Sequence, residues 1–185
     1  DLRMATQKPY STKDKKGRLM AGATIGARGD YMERAEALVA IGTDCILIDI
    51  AHADSDIIGK AVHDFRSKFQ NIDLVCGNVA TREGARFLAD LGVDAIKVGV
   101  GPGRGCRTRL ETGAGVPQLQ AIRETFLEVG DSVPIIADGG IRNDKDVALA
   151  IFCGASTVML GSMLSGTDES PGEIVEDPAT RKKVK

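Results

Sequence analysis

The chain has 185 residues, 43% of them apolar, enough for one cored domain without disulfide staples. Its 24 basic and 26 acidic residues leave a net charge of -2, and it carries five Phe, two Tyr and no Trp. Broad electrostatic binding to nucleic acid or an anionic membrane is excluded, as is a base-stacking platform. No window approaches the ~20 apolar residues of a membrane span, and the absence of an export signal points to the cytoplasm. Residues 1–19 are polar and lysine-rich, a connector or barrel edge segment with STKDKKGR as a turn. From residue 20 a rhythm begins. Short Val- and Ile-rich runs fall at 20–26, 45–51, 73–78, 95–101, 133–140 and 157–162. They show little alternation, the mark of parallel strands buried on both faces.

Between these runs lie helical stripes at 30–41, 81–91 and 144–152. Ser55 and Thr81 are placed to cap helices, and Gly42, Gly92 and Gly154 to end them. His63, in the helical stretch KAVHDFRSKF, reads as a surface residue. Six βα units allow either a (β/α)₈ barrel two units short or an open doubly wound sheet. No GxGxxG follows the first strand, which removes the usual dinucleotide fingerprint. Glycine is abundant, at 22 residues, and polar, Gly-rich stretches sit just after the strands, on the rim where a barrel holds its site. Residues 20–175 thus read as an incomplete barrel, and 176–185 as a charged tail.

Four cysteines lie at least thirty residues apart with no CxxC, so reduced thiols are expected and a zinc site is not. Cys45, Cys76 and Cys153 sit in apolar runs and read as buried small hydrophobes. Cys106 sits in the polar loop GPGRGCRTR. Guanidinium and backbone N–H groups around a thiol lower its pKa, so Cys106 is a candidate nucleophile. The competing reading is a plain surface cysteine in a basic turn. ADGG (137–140) and LGS (160–162) are Gly-rich turns after the last two strands, where barrels often cradle a phosphate; alone, such turns also serve close helix packing. Asp138 repels phosphate but suits ribose hydroxyls, so a nucleoside monophosphate fits both. Asp49 could hold a second ribose. His52, a lone histidine, reads first as a satisfied rim residue. Lys97, within a strand, reads as a buried polar contact.

Six segments together resemble the IMP dehydrogenase / GMP reductase family. They are GNVAT (77–81), DAIKVGVGPG (94–103), CxTR (106–109), TGAGVPQL (112–119), IADGGIR (136–142) and GASTVMLGSMLSGTDESPGE (154–173). The resemblance implies a (β/α)₈ barrel, a homotetramer and a nicotinamide cofactor. It implies that Cys106 attacks purine C2 and that Thr108 helps activate water or leaving ammonia. Asp138 would bind the ribose. Gly139, Gly140, Gly161, Ser162 and Arg104 would hold the 5′-phosphate end. Asp49, Ala51, His52 and Asn78 would face the cofactor. Carbonyls of Gly101, Gly103 and Cys106 would bind potassium.

The implied reaction is oxidation of IMP to XMP with NAD. The alternatives are reduction of GMP to IMP and ammonia with NADPH, or nucleotide binding without turnover. Arg104 and Arg107 stand where the dehydrogenases usually carry Ser and Thr. Ile50 stands where they commonly carry Ser, which leans toward the reductase. The family's tyrosine-glycine-methionine loop, its mobile flap and a CBS pair are not found in the sequence.

Overall fold

Each of the six apolar runs becomes a strand of one parallel sheet in the computed structural model: β1 (Gly22–Ile25), β2 (Cys45–Asp49), β3 (Asp73–Val79), β4 (Ala95–Val98), β5 (Ile135–Asp138) and β6 (Thr157–Met159). The structure describes residues 9–181 and the backbone of 183–184; residues 1–8 of the connector and 182 and 185 of the tail lie outside the described residues. The intervening helices are α1 (Tyr31–Ala40), α2 (Asp56–Lys68), α3 (Arg82–Asp90), α4 (Thr108–Thr112), α5 (Gln118–Val129) and α6 (Asp144–Phe152). No described helix is long and apolar enough to cross a membrane.

Strands follow one another across the sheet in sequence order. A doubly wound sheet reverses direction at a switch point. This one never does, so it is an incomplete TIM-like α/β fold. The open-sheet alternative is set aside.

Alternate residues of a strand face opposite sides. Ile46 and Ile48, Leu74 and Cys76, Ile96 and Val98, Ile135 and Ala137 are buried in one continuous core with Ile58, Val62, Phe65, Leu88 and Ile122 of the helices. Burying each large side chain stabilises by about 1.5–3 kcal/mol. On the other face the register aligns Asp49 with Gly77 and Gly77 with Lys97. That row prepares the site.

Helix ends follow their local chemistry. Thr81 Oγ1 accepts from the Gly84 N–H at 3.1 Å, the expected cap. Ser55 precedes α2 in an extended conformation, yet its side chain makes no capping bond. Gly42, Gly92 and Gly154 take φ of +85°, +74° and +113° just past α1, α3 and α6. In the connector, Asp14 closes the turn by accepting from the N–H groups of Lys16 and Arg18, each at 2.8 Å.

At the charged tail, β7 (Val175–Glu176) pairs antiparallel with β8 (Lys183–Val184). One expectation needs correction. Cys45 and Cys153 are only half-buried, since each lies at a strand or helix end; Cys76 alone of the three is fully buried. Burial pushes the Cys76 thiol up to about 12, so it is inert at neutral pH. Helices α4 and α5 lie within and just after a loop whose Gly and Pro content hides any stripe.

Candidate active site

The rim at the C-terminal ends of β2 to β5 brings four polar side chains together. Lys97 is 2% exposed, and its Nζ meets Asp49 Oδ2 at 3.1 Å and pairs closely with Asp138 Oδ2. Gly77 explains how. It separates Asp49 from Lys97 in the register, and a Cβ there would lie 2.7 Å from Lys97 Cβ. With no side chain in the way, the lysine reaches across one strand. Asn78 Nδ2 donates to Asp138 Oδ2 at 3.0 Å and to the Gly99 carbonyl at 2.7 Å. Both partners of Asp138 act on Oδ2, which leaves Oδ1 for a ligand hydroxyl.

Cys106 reaches this cluster on the loop between β4 and α5. Gly99 begins the loop at φ +148°, and a Cβ on it would lie 2.1 Å from the Asp138 carbonyl oxygen. Only glycine lets the loop leave β4 so close to β5. Cys106 N donates to the Gly103 carbonyl at 3.1 Å, a tight turn that presents the thiol. Its Sγ donates to Thr108 Oγ1 at 3.4 Å.

The Cys106 thiol is held below the ordinary thiol range. The largest cause is hydrogen bonding to the Thr108 hydroxyl, followed by the Thr108 backbone; the Gly101 backbone adds to it, while partial desolvation and Asp138 oppose it. The direction matches the sequence expectation, and so does the backbone part of the cause; the guanidinium part does not. Arg107 pairs with Glu111, its Nε donating at 2.9 Å. Arg109 donates to the Val116 carbonyl at 2.8 Å. Neither guanidinium acts on the sulfur. Thr108→Val should therefore raise the pH midpoint of Cys106 alkylation by iodoacetamide and slow the reaction at neutral pH. An unmoved midpoint would return the activation to the arginines.

Three adjoining cavities form one groove across the rim. The first, about 360 Å³, is lined by Cys106, Thr108, Asp138, Gly139, Gly101, Gly103, Asp49, Ala51, Asn78 and Lys97 among others. The second, about 710 Å³, shares Asp138, Gly139 and Gly103 with it and adds Gly140, Gly161 and Ser162. The third, about 390 Å³, adds Arg142 beside Arg104, Gly140 and Ser162. Thiol, carboxylate and a glycine- and arginine-lined end thus follow in that order.

His52 is not brought to this groove. It is exposed, and the next residue, Ala53, is buried with its N–H donating to the Asn78 carbonyl at 2.9 Å. Lys97 is the buried polar contact that its place in a strand suggested, although the two carboxylates it links were not disclosed. Two residues were missed by sequence reasoning. Arg142 lies two residues past Gly140, and that spacing was a usable signal. Gln118, at the start of α5, binds the rim through its side chain.

Fold and rim define a parallel half-barrel that carries a thiol loop and Gly-rich turns on one mouth. The chain belongs to the IMP dehydrogenase / GMP reductase domain family, which it matches over residues 2–185. It is 51% identical over 175 residues to an inosine-5'-monophosphate dehydrogenase of Yersinia pestis, covering 94% of this chain and 36% of that protein. The enzyme of the same name from Nitrosopumilus maritimus is 46% identical, over 100% of this chain and 39% of its own length. Among solved structures, a GMP reductase variant from Trypanosoma brucei in complex with guanosine 5'-monophosphate is 41% identical, with a TM-score of 0.92 over 99% of this chain and 38% of that one. The chain spans little over one third of the length of these relatives.

Proposed function

We propose that the chain is the nucleotide-binding portion of an oxidoreductase of purine nucleotide metabolism that oxidises IMP to XMP. The observation that carries this reading is the order along the groove, which runs as base, ribose and phosphate run in a nucleoside monophosphate. Cys106 thiolate adds to purine C2, forming an S–C2 bond as the C2 hydride departs. NAD, when bound, supplies the hydride acceptor. The thioimidate left behind takes water at C2. The S–C2 bond then breaks, the thiolate is regenerated and a water proton is released. Thr108 Oγ1, beside the sulfur, holds that water. Splitting one hard step into two is the advantage of the covalent route.

Asp138 Oδ1 accepts from the IMP ribose. Backbone N–H groups of Gly139, Gly140, Gly161 and Ser162 take the phosphate, with Arg104 and Arg142 supplying charge. Asp49, Ala51 and Asn78 would hold the cofactor, with His52 outside. Asp49 is 34% exposed, which suits a carboxylate accepting from ribose hydroxyls. Carbonyls of Gly101, Gly103 and Cys106 are hard, neutral donors of the type a potassium ion takes. Gly103 O has one lone pair engaged by Cys106 N and one for the ion, which would order the loop. Residues 20–175 form the barrel portion, with 1–19 as connector and 176–185 as tail. The family resemblance supports a homotetramer in the cytoplasm.

A second reading has one observation in its favour. Ile50 lines the Cys106 cavity where the dehydrogenases commonly carry serine, so the same groove suits GMP reductase chemistry with NADPH. Absorbance of the reduced nicotinamide separates the readings. Its appearance with IMP and NAD is the expected result. Its loss with GMP and NADPH would support the reductase. No change in either, with IMP still protecting Cys106 from alkylation, would leave a binding protein.

A further inference from the structure

The loop carrying Cys106 leaves the sheet after Val98 and returns at Gln118. Two devices pinch its neck. Val116 N donates to the Val100 carbonyl at 3.1 Å. The Arg109 stem packs against Gly101 and Gly115 so closely that a Cβ on either would lie 2.6 Å or less from it. These contacts shape the loop but do not tie it to the rest of the rim.

Asn78 ties the departing end of the loop, bonding the Gly99 carbonyl and Asp138 Oδ2; the return end is tied by a second side chain. β4 and β5 pair as far as Val98 with Ala137, and Gly99 then turns away. Just there, Gln118 Nε2 donates to the Val98 carbonyl at 2.8 Å and to the Asp138 carbonyl at 3.1 Å. One amide group spans the ends of both strands where the ladder stops. Among the described residues the buried Gln118 Oε1 has no hydrogen-bond partner, so the two donor bonds set the orientation of the side-chain amide.

We infer that Gln118 is a positioning residue, whose amide fastens the return end of the Cys106 loop to the Asp138 turn and so fixes the thiol relative to the carboxylate. Its importance for catalysis rests on the function proposed above; the fastening itself does not. A displacement of about 1 Å between reacting groups can cost roughly 100-fold in rate.

Gln118→Met tests this. It keeps length and volume, removes both donors together with the orphaned oxygen, and leaves the Val98 and Asp138 carbonyls without those donors. Gln118→Glu, nearly isosteric, sets a carboxylate against two carbonyl oxygens. In both variants amide hydrogen exchange at Val116 should quicken about 10-fold or more, while amides of β2 to β5 keep their protection. With IMP and NAD, kcat should fall about 10- to 100-fold and the KM for IMP should stay within about threefold. Unchanged exchange at Val116 in both variants would overturn the inference. So would faster exchange throughout the sheet, or equal losses in kcat and KM, since either marks general support of the fold. IMP protection of Cys106 in the unaltered protein separately tests the reading on which the catalytic part rests; its failure would leave the exchange result standing.

Discussion

Cys106→Ala abolishes turnover and leaves nucleotide binding nearly intact. The covalent step needs a bond to C2, and Cys76, the other thiol near the rim, is fully buried with its thiol pushed up to about 12. No second nucleophile replaces the missing one. A loss of at least about 10³-fold in kcat is expected. Binding depends on other groups, because Asp138 is held by Lys97 and Asn78, and the anionic end is built from the turns after β5 and β6. The Kd for IMP by titration calorimetry should therefore stay within about threefold. An active alanine variant would remove the covalent mechanism. Lost binding together with lost activity would make the cysteine a structural part of the loop.

Lys97→Met is the second large effect. The methionine keeps the volume but leaves Asp49 and Asp138 facing one another with no cation between them. Removing one partner of a buried ion pair costs about 3–5 kcal/mol. Both carboxylates here are partly exposed, at 34% and 24%, so the lower end applies. About 3 kcal/mol lowers the thermal midpoint by roughly 6–12 °C in a chain of this size. Affinity for IMP should fall as well, since Asp138 loses a donor that orients it. The double variant Lys97→Met, Asp49→Asn separates charge from packing. Partial recovery of the midpoint in the double variant marks repulsion between the carboxylates. No recovery would mean that the lysine stem, not its charge, holds the rim.

Composition and order in the sequence carry much of this architecture. Six apolar runs, each bounded by Gly or polar residues, mark six strands within a few residues; β2, β3 and β4 are apolar because both faces are buried, whereas the outer β1 and β6 are largely exposed. Helices α1, α3 and α6 show their stripes because one face packs on the sheet. Helix α5 is hidden in the sequence, since Pro117 and the glycines before it read as loop and mask the run at 118–129. The thiol loop and the Gly-rich turns were legible as motifs.

The tertiary geometry of the site was not. Lys97 meets two carboxylates only because the register puts Gly77 between it and Asp49, and register is not written in any one strand. The arginine part of the thiol's expected acidity fails for a similar reason, while the backbone part holds. Arg107 and Arg109 adjoin Cys106 in sequence, yet one pairs with Glu111 and the other closes the loop on Val116. Thr108 does the work attributed to them.

The central claim is that Cys106 becomes bonded to a purine held along the groove. Acid quenching of the protein during turnover with IMP and NAD, followed by peptide mass spectrometry, reads that bond directly. The account predicts a purine nucleotide, lighter by the departed hydride, on the peptide that contains Cys106, and none on those containing Cys45, Cys76 or Cys153. Reduced nicotinamide formed with no adduct on Cys106, or with an adduct on another cysteine, would contradict it.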